Sequence, residues 1–139
     1  MLKAQVADSQ VDDLRARIEH SRHVLVAAHH HLFEVNCPWL DRDRIQSATL
    51  LECLTKHSAV RGFVCGHVHQ ESENERDGRQ FLSTPSTCFQ FEPGSQAVTL
   101  NQQSPGWRQL QLFDDGHIES EVHRVQGLSL NPVFPESQS

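Results

Sequence analysis

The sequence predicts an α/β fold in its first half and antiparallel β-structure in its second half. Two continuous apolar runs, Val24–Ala28 and Val60–Cys65, have the length of buried strands. Each run follows a segment with apolar residues at helical spacing, and this alternation of helix and strand favours parallel pairing. The dipeptides Asp77-Gly78 and Asp115-Gly116 are hairpin turn signals, so the strands around them are expected to pair antiparallel.

The two predicted helices lie before the two apolar runs. Ser9 is the predicted N-cap of the first helix, which is expected to end in the segment His20–His23. Ser47 is the predicted N-cap of the second helix, which is expected to end at His57-Ser58. The buried side of the second helix is predicted to consist of Leu50, Leu51 and Leu54.

The segment from Leu32 to Arg44 has no periodic pattern and contains Pro38, so it is predicted to be a loop. Because it follows the end of a strand, such a loop is suited to forming one wall of a substrate site. Trp39 within this segment fits either of two roles, an aromatic contact for a ligand or an anchor for the loop.

Composition argues against several classes of function. The formal net charge of −6 argues against nucleic acid as a partner, because phosphate-binding surfaces need clustered Lys and Arg. The mean hydropathy is −0.52, and no apolar run approaches the ~18 residues of a transmembrane helix, so no membrane span is expected. With no signal-peptide pattern and no C-x-x-C spacing, the protein is predicted to be cytoplasmic with reduced thiols. The cysteines are Cys37, Cys53, Cys65 and Cys88.

The length of 139 residues fits one domain or part of one domain. Residues 1–126 are assigned to a single folded unit on this basis. Residues 127–139 are rich in Pro, Ser and Gln, so they are predicted to form a mobile tail.

Histidines follow both apolar runs. His29, His30 and His31 come directly after the first run, whereas His67 and His69 come after Gly66 at the end of the second. In extended backbone, side chains two residues apart leave the same face, so His67 and His69 are expected to reach one small volume. Gly66 is expected to let the chain turn tightly there. The alternative is that these histidines lie in polar loops, but two clusters at strand ends together favour a metal site.

Six segments in fixed order resemble the calcineurin-like metallophosphoesterases, and within that superfamily the bacterial class III 3′,5′-cyclic AMP phosphodiesterases. The tetrapeptide Gly66-His67-Val68-His69 alone is a moderately specific signature of the superfamily, whereas the six segments in this order are highly specific. The resemblance covers the chain from about Val24 to Val125. The segments are His29–His31, Trp39–Asp41, Cys65–Glu71, Thr84–Phe91, Pro105–Arg108 and Glu121–Arg124.

The resemblance implies a fold and identifies its missing parts. The superfamily fold is a four-layer α/β/β/α sandwich around two metal ions, and this chain resembles its C-terminal half, a mixed sheet followed by antiparallel strands. None of the family's Asp-x-His, Gly-Asp and Gly-Asn-His-Asp/Glu blocks is identified in this chain, and Leu32 stands where the family usually has Pro. The bridging aspartate, the asparagine ligand and the phosphate-contacting histidine are therefore expected in an absent N-terminal half.

The resemblance also assigns roles to the histidines. His30 and His67 would share one metal ion, His69 would bind the other, and His31 would lie beside the ligands as a supporting neighbour. The triple histidine leaves a one-residue ambiguity, so His29, His30 and His31 all remain candidates for the first ligand. The complete enzyme is expected to hold two divalent metal ions, iron or manganese, with zinc as a further option. The isolated chain is expected to hold about one ion.

The function implied is metal-dependent hydrolysis of 3′,5′-cyclic AMP or a related phosphodiester, in a chain that lacks half of the dinuclear site. Alone, such a chain is expected to be inactive or weakly active. Two other interpretations remain open, a binding or regulatory module that keeps only this half of the fold, and a mononuclear zinc hydrolase using His30, His67 and His69. The expected partners are a phosphodiester substrate and either the N-terminal half or a second copy of this chain.

Overall fold

The computed structural model describes residues 4–128, 130 and 132. Most of the predicted tail, residues 127–139, lies outside the described residues. The described helices are α1 (Asp8–Glu19), α2 (Pro38–Asp41) and α3 (Ala48–Lys56). The described strands are β1 (Val24–Ala28), β2 (Val60–Cys65), β3 (Ser72–Arg76), β4 (Arg79–Ser83), β5 (Gln90–Phe91), β6 (Leu100–Asn101), β7 (Gly106–Leu112) and β8 (Ile118–Arg124).

Four strands form a mixed central sheet in the order β1-β2-β4-β3. β1 pairs in parallel with β2, and β2 pairs in parallel with β4, whereas β3 runs antiparallel to β4. The parallel pairing predicted for the two apolar runs is therefore confirmed, and so is the hairpin at Asp77-Gly78. Ala28 and Cys65, the last residues of β1 and β2, lie opposite each other, so whatever follows these two strands emerges side by side.

β1 is an outer strand of the central sheet, because it pairs with β2 on one side and with no described strand on the other. The prediction that both apolar runs are buried is confirmed for β2, in which Val60, Phe63 and Cys65 are buried. It is wrong for β1, whose residues are only half-buried and in which Ala27 is exposed. An outer strand has backbone N–H and C=O groups that no neighbouring strand satisfies.

The main core lies between the two longer helices and the central sheet. α1 and α3 contact each other, and α3 contacts β2. Burying one aliphatic side chain contributes about 1.5–3 kcal/mol, so this core holds the strand ends in place. Leu51, predicted to be buried, is half-buried because it lies at the margin of this face. The principal core residues are Val11, Ile18, Leu50, Cys53, Leu54, Val60, Phe63 and Phe81.

The predicted N-cap of the second helix is confirmed, and that of the first is wrong. The Ser47 hydroxyl accepts the backbone N–H of Leu50 at 3.1 Å, at the start of α3. α1 instead begins before Ser9, and Ala7 occupies its N-cap position. The side-chain oxygen of Gln10 accepts the Ala7 N–H at 2.9 Å, so a side-chain amide from the first turn satisfies the helix start.

The segment predicted to be a loop contains the short helix α2. Pro38 begins this helix, at the position where a missing N–H does no harm. The helix buries Leu40 in a second small core that also contains Cys37 and Val68. Because Val68 lies between His67 and His69, this core ties the segment after β1 to the turn after β2.

Trp39 serves as an anchor for this segment. Its ring packs edge-on against Phe91, with 4.8 Å between the ring centroids. Its indole N–H donates a hydrogen bond to the hydroxyl of Ser95 at 3.2 Å. Both contacts are within the chain, which favours the anchoring role over a ligand contact.

β7 and β8 form a separate antiparallel ribbon, as the hairpin signal at Asp115-Gly116 predicts. Arg108 of β7 fastens this ribbon to the central sheet, and its side chain is 1% exposed. The guanidinium donates to the carbonyl oxygens of Ser83 at 2.9 Å and Ser72 at 3.3 Å. Since hydrogen bonds from a charged donor are the stronger kind, this residue links β7 to both β3 and β4.

A cavity of about 510 Å³ lies at the start of β1 and β2, at the opposite end of the sheet from the histidine segments that follow these strands. Its lining includes Arg61 and the tip of the β7–β8 ribbon. Asp115-Gly116-His117 in that tip has an Asp-x-His pattern, so the prediction that the chain lacks one is wrong as to the sequence, but its position separates it from the predicted site. Among the helices described, none has the length and apolar character required to cross a membrane.

Candidate metal centre

The parallel pairing of β1 and β2 brings the two histidine segments together. The strands end at Ala28 and Cys65, which are opposite each other. The backbone N–H of Gly66 donates to the carbonyl oxygen of His29 at 3.1 Å, which holds the two exits side by side. The predicted convergence of histidines at the carboxyl ends of neighbouring strands is therefore present at this edge.

Three histidines form a compact group, His29, His30 and His67. Each offers one ring nitrogen, and these nitrogens all lie within 4.8 Å of one another. The ring centroids of His30 and His67 are 4.2 Å apart, and those of His29 and His67 are 5.2 Å apart. Atoms this close can become ligands of a single ion with small side-chain adjustments. We refer to these three residues as the histidine trio.

His69 lies beside the trio and is not part of it. Its ring stacks on Phe91, with centroids 4.7 Å apart and 15° between the ring planes, and lies 5.1 Å from the ring of Phe89. Of the residues predicted to hold metal, the structure thus brings His30 and His67 together and places His69 against an aromatic wall. His29, for which the sequence offered only an ambiguity of register, is the third member.

The backbone after β2 is not extended, so the predicted geometry of His67 and His69 is wrong. Their φ values are +63° and +50°, in the left-handed region that favours glycine. Gly66, which was expected to provide the tight turn, does not have a positive φ, and a Cβ there would meet only ordinary contacts at 3.8 Å or more. Left-handed backbone at two non-glycine residues costs of the order of 1–3 kcal/mol each and is typical of functional sites.

The donor atoms in this region fit a metal ion. In this region, among the described residues, four buried imidazole nitrogens have no hydrogen-bond partner. A buried polar atom without a partner costs about 1–3 kcal/mol, and metal coordination would remove that cost. Neutral imidazole nitrogen is a common ligand for zinc, copper, iron and nickel. The four atoms are Nδ1 of His30, Nδ1 of His31, Nε2 of His67 and Nδ1 of His69.

Burial favours the neutral form of His31, His67 and His69, because it lowers the pKa of each. Burial is the main cause that lowers the pKa of His67 to about 4, and the neighbouring His30 adds to the effect while the Asp43 carboxylate opposes it. Burial also lowers the pKa of His69, against a backbone hydrogen bond at Phe89. Neutral rings are the form that binds metal, so protons compete weakly with an ion here.

Two carboxylates close to the site were not found from the sequence. One Asp43 carboxylate oxygen is 3.9 Å from Nε2 of His67, and one Asp41 oxygen is 3.2 Å from Nε2 of His31. Burial lowers the pKa of His31, whereas its hydrogen bond and charge interaction with Asp41 oppose that shift. Asp41 and Asp43 follow the triple histidine closely in the sequence, which could have indicated them as site residues. They were not considered because the segment was predicted to be an irregular loop.

We expect the metal-free chain to lose stability as the pH falls from about 6.5 to about 4. Unfolded His67 titrates near 6.5 and folded His67 at about 4, so between these values the unfolded chain binds a proton that the folded chain does not. Protonation then favours unfolding, with full stability retained above pH 6.5 and a loss of up to about 3 kcal/mol near pH 4.

Urea unfolding at a series of pH values tests this expectation. His67→Gln should make the decline in unfolding free energy shallower over that window. His117→Gln, at an exposed position outside the trio, is the control and should leave the decline unchanged. Identical pH profiles for wild type and His67→Gln would contradict the prediction.

Nearly the whole chain is similar to bacterial cyclic-nucleotide phosphodiesterases, the class of protein that the fold and the histidines indicate. It is 37% identical over 135 residues to the Haemophilus influenzae protein named 3′,5′-cyclic adenosine monophosphate phosphodiesterase CpdA, covering 95% of this chain and 49% of that protein. It is 42% identical over 112 residues to the Escherichia coli K12 protein of that name, covering 80% of this chain and 41% of the other. A Nostoc protein named 3′,5′-cyclic-nucleotide phosphodiesterase alr5338 is 37% identical over 115 residues, covering 81% of this chain and 43% of that protein.

The predicted resemblance is therefore confirmed, and the chain is related to the CpdA phosphodiesterases. It spans about half the length of the curated relatives it matches. No family model matches the chain.

Proposed function

We propose that this chain forms part of a metal-dependent phosphodiesterase that hydrolyses 3′,5′-cyclic AMP or a related phosphodiester. The supporting observation is the group of imidazoles with unpaired buried nitrogens at the carboxyl ends of two parallel strands, in a chain similar to proteins named as cyclic AMP phosphodiesterases.

The chain's own residues would hold one ion. His30 and His67 lie close enough to share it, and His29 offers a third nitrogen. His69 would bind a second ion in the completed site, in line with the resemblance. When bound, paired divalent ions activate water and stabilise charge on the attacking and leaving oxygens of a phosphodiester. Iron or manganese is proposed for the complete enzyme, while a set of imidazoles without carboxylates favours zinc in the chain alone.

The remaining ligands would come from outside this chain. The relatives are about twice as long as the part matched here, and no described strand pairs with the outer edge of β1. A further half would add strands at that edge and complete a four-layer α/β/β/α sandwich. Hydrolysis by the chain alone should then stay near background even with manganese, because the trio cannot hold two ions in a clamp around one phosphate.

A chimera tests the proposed activity. The segment of the Haemophilus influenzae relative that matches this chain is replaced by residues 4–128, and hydrolysis of 3′,5′-cyclic AMP is measured with manganese. The chimera should hydrolyse the substrate well above the rate of the 139-residue chain, and His67→Ala within it should bring the rate to background. The control is His117→Ala, which should retain the activity of the chimera.

Two outcomes would overturn the proposal. A chimera that is monodisperse and cooperatively folded but does not hydrolyse the substrate would favour a binding or regulatory module instead. Robust manganese-dependent turnover by the chain alone, abolished by His69→Ala, would show that the site needs no second half.

A further inference from the structure

Asp41, the last residue of α2, lies in one of the segments that carry the resemblance, but neither the resemblance nor the names of the relatives give it a role. Its carboxylate is 15% exposed, and both oxygens accept backbone hydrogen bonds. One oxygen accepts the N–H of Val35 at 2.8 Å, and the other accepts the N–H of Cys37 at 3.1 Å. The backbone around α2 thus fixes the carboxylate in place before any contact with a histidine is considered.

The same carboxylate contacts the imidazole of His31. The Asp41 oxygen that accepts from Val35 is also 3.2 Å from Nε2 of His31. An ionised carboxylate only accepts hydrogen bonds, so Nε2 of His31 must carry the hydrogen in this contact. Nδ1 of a neutral His31 is then left as a lone pair, and it is buried with no partner among the described residues.

His31 in turn lies against the histidine trio. It is 2% exposed, and its ring is stacked on His67 with 18° between the planes and 6.0 Å between the centroids. Its carbonyl oxygen accepts the N–H of Ile45 at 2.9 Å, which fixes its backbone as well. A contiguous path of contacts therefore leads from Asp41 through His31 to the ring of His67.

We propose that Asp41 is a positioning residue that fixes the tautomer and orientation of His31 and, through His31, the ring of His67 in the metal centre. The inference rests on the proposed function only in assigning metal binding to the trio. Carboxylates that orient imidazoles at metal sites are worth about 10–100-fold in affinity. In this role, His31 is held in one orientation, with Nδ1 as an acceptor and its ring packed against that of His67.

The competing explanation is that Asp41 only closes the loop through its two backbone hydrogen bonds. A double-mutant cycle separates the two explanations, because residues that act through one another have non-additive effects. The variants are Asp41→Asn, His31→Gln and the double substitution, with zinc affinity of the metal-free chain measured by calorimetry at neutral pH. Asp12→Asn, at an exposed position on α1, is the matched control.

We expect Asp41→Asn to weaken zinc binding roughly 10-fold, and to weaken it little further once His31 is already Gln. Asp12→Asn should leave the affinity unchanged. Equal and additive losses in both backgrounds, or no loss from Asp41→Asn, would overturn the positioning role.

A second measurement does not depend on metal. Long-range ¹⁵N–¹H correlations report the tautomer of each imidazole, and metal-free wild type should show His31 protonated at Nε2. Asp41→Asn should shift His31 towards a mixture of tautomers while the chain stays folded. If wild type binds no zinc, the proposed function fails, and the tautomer alone decides the role of Asp41. A wild-type His31 protonated at Nδ1 would refute that role in either case.

Discussion

Replacing His67 with alanine is expected to weaken zinc binding by the metal-free chain roughly 100-fold. His67 is the member of the trio that follows β2, its ring lies 4.2 Å from that of His30 and 5.2 Å from that of His29, and its low pKa keeps it neutral at physiological pH. Without it, only the adjacent imidazoles of His29 and His30 remain, and the site loses the one ring nitrogen of the trio that comes from the segment after β2. The wild-type chain should bind about one zinc ion weakly.

Titration calorimetry at neutral pH measures this difference, and the same titration at lower pH adds a second check. Zinc should stay bound at pH 6 and be released as the pH approaches about 4, the pKa at which His67 takes up a proton in competition with the ion. The control is His117→Ala, which removes a histidine outside the trio and should bind as the wild type does. Equal binding by wild type and His67→Ala would end the assignment of this site.

The 139-residue chain is expected to self-associate at micromolar concentration, which sedimentation velocity would show. No described strand pairs with the outer edge of β1, and its residues are apolar and mostly half-buried, without the charges or prolines that block edges in natural sheets. Ala27 on this strand is exposed. Ala27→Lys should therefore shift the population strongly towards monomer, since a lysine on an edge strand opposes pairing with another strand.

Ala16→Lys provides the matched control, because it adds the same charge at an exposed position on α1. It should leave the association unchanged, which separates a local effect at the edge from a general effect of charge. A wild-type chain that sediments as a cooperatively folding monomer would contradict the expectation and would indicate that the two helices and the ribbon close a sufficient core.

The strands and the second helix could be predicted because their signals are local. Val24–Ala28 and Val60–Cys65 are apolar runs with helical segments before them, and the structure has strands with those bounds. Asp77-Gly78 is a dipeptide strongly preferred in two-residue hairpin turns, and the hairpin of β3 and β4 turns there. The burial of β1 could not be predicted, because it depends on which strands lie beside it and not on its own residues.

The details of the site depend on contacts between distant segments, and the sequence left them open. Alternation in extended backbone predicted His67 and His69 on one face, but both residues have left-handed φ values, and the ring of His69 packs on Phe91. The contact of Asp41 with the site was not predicted, because Asp41 lies in a segment without periodicity. Pro38, three residues earlier, could have indicated the start of a helix. The presence of His29 in the trio could not be predicted without knowing the register of β1 against β2.

The position of β1 at the margin of the sheet has a thermodynamic consequence for assembly. The strand that leads into His29 and His30 is the same strand whose outer edge is paired by no described strand. If the trio binds a metal ion as proposed, a polypeptide that pairs with this edge would bring its own side chains next to that ion. Where such a side chain adds a ligand, the ion and the polypeptide would each increase the other's affinity by the same factor, because the coupling between two ligands is reciprocal. A metal ion bound at the trio should therefore favour assembly at this edge.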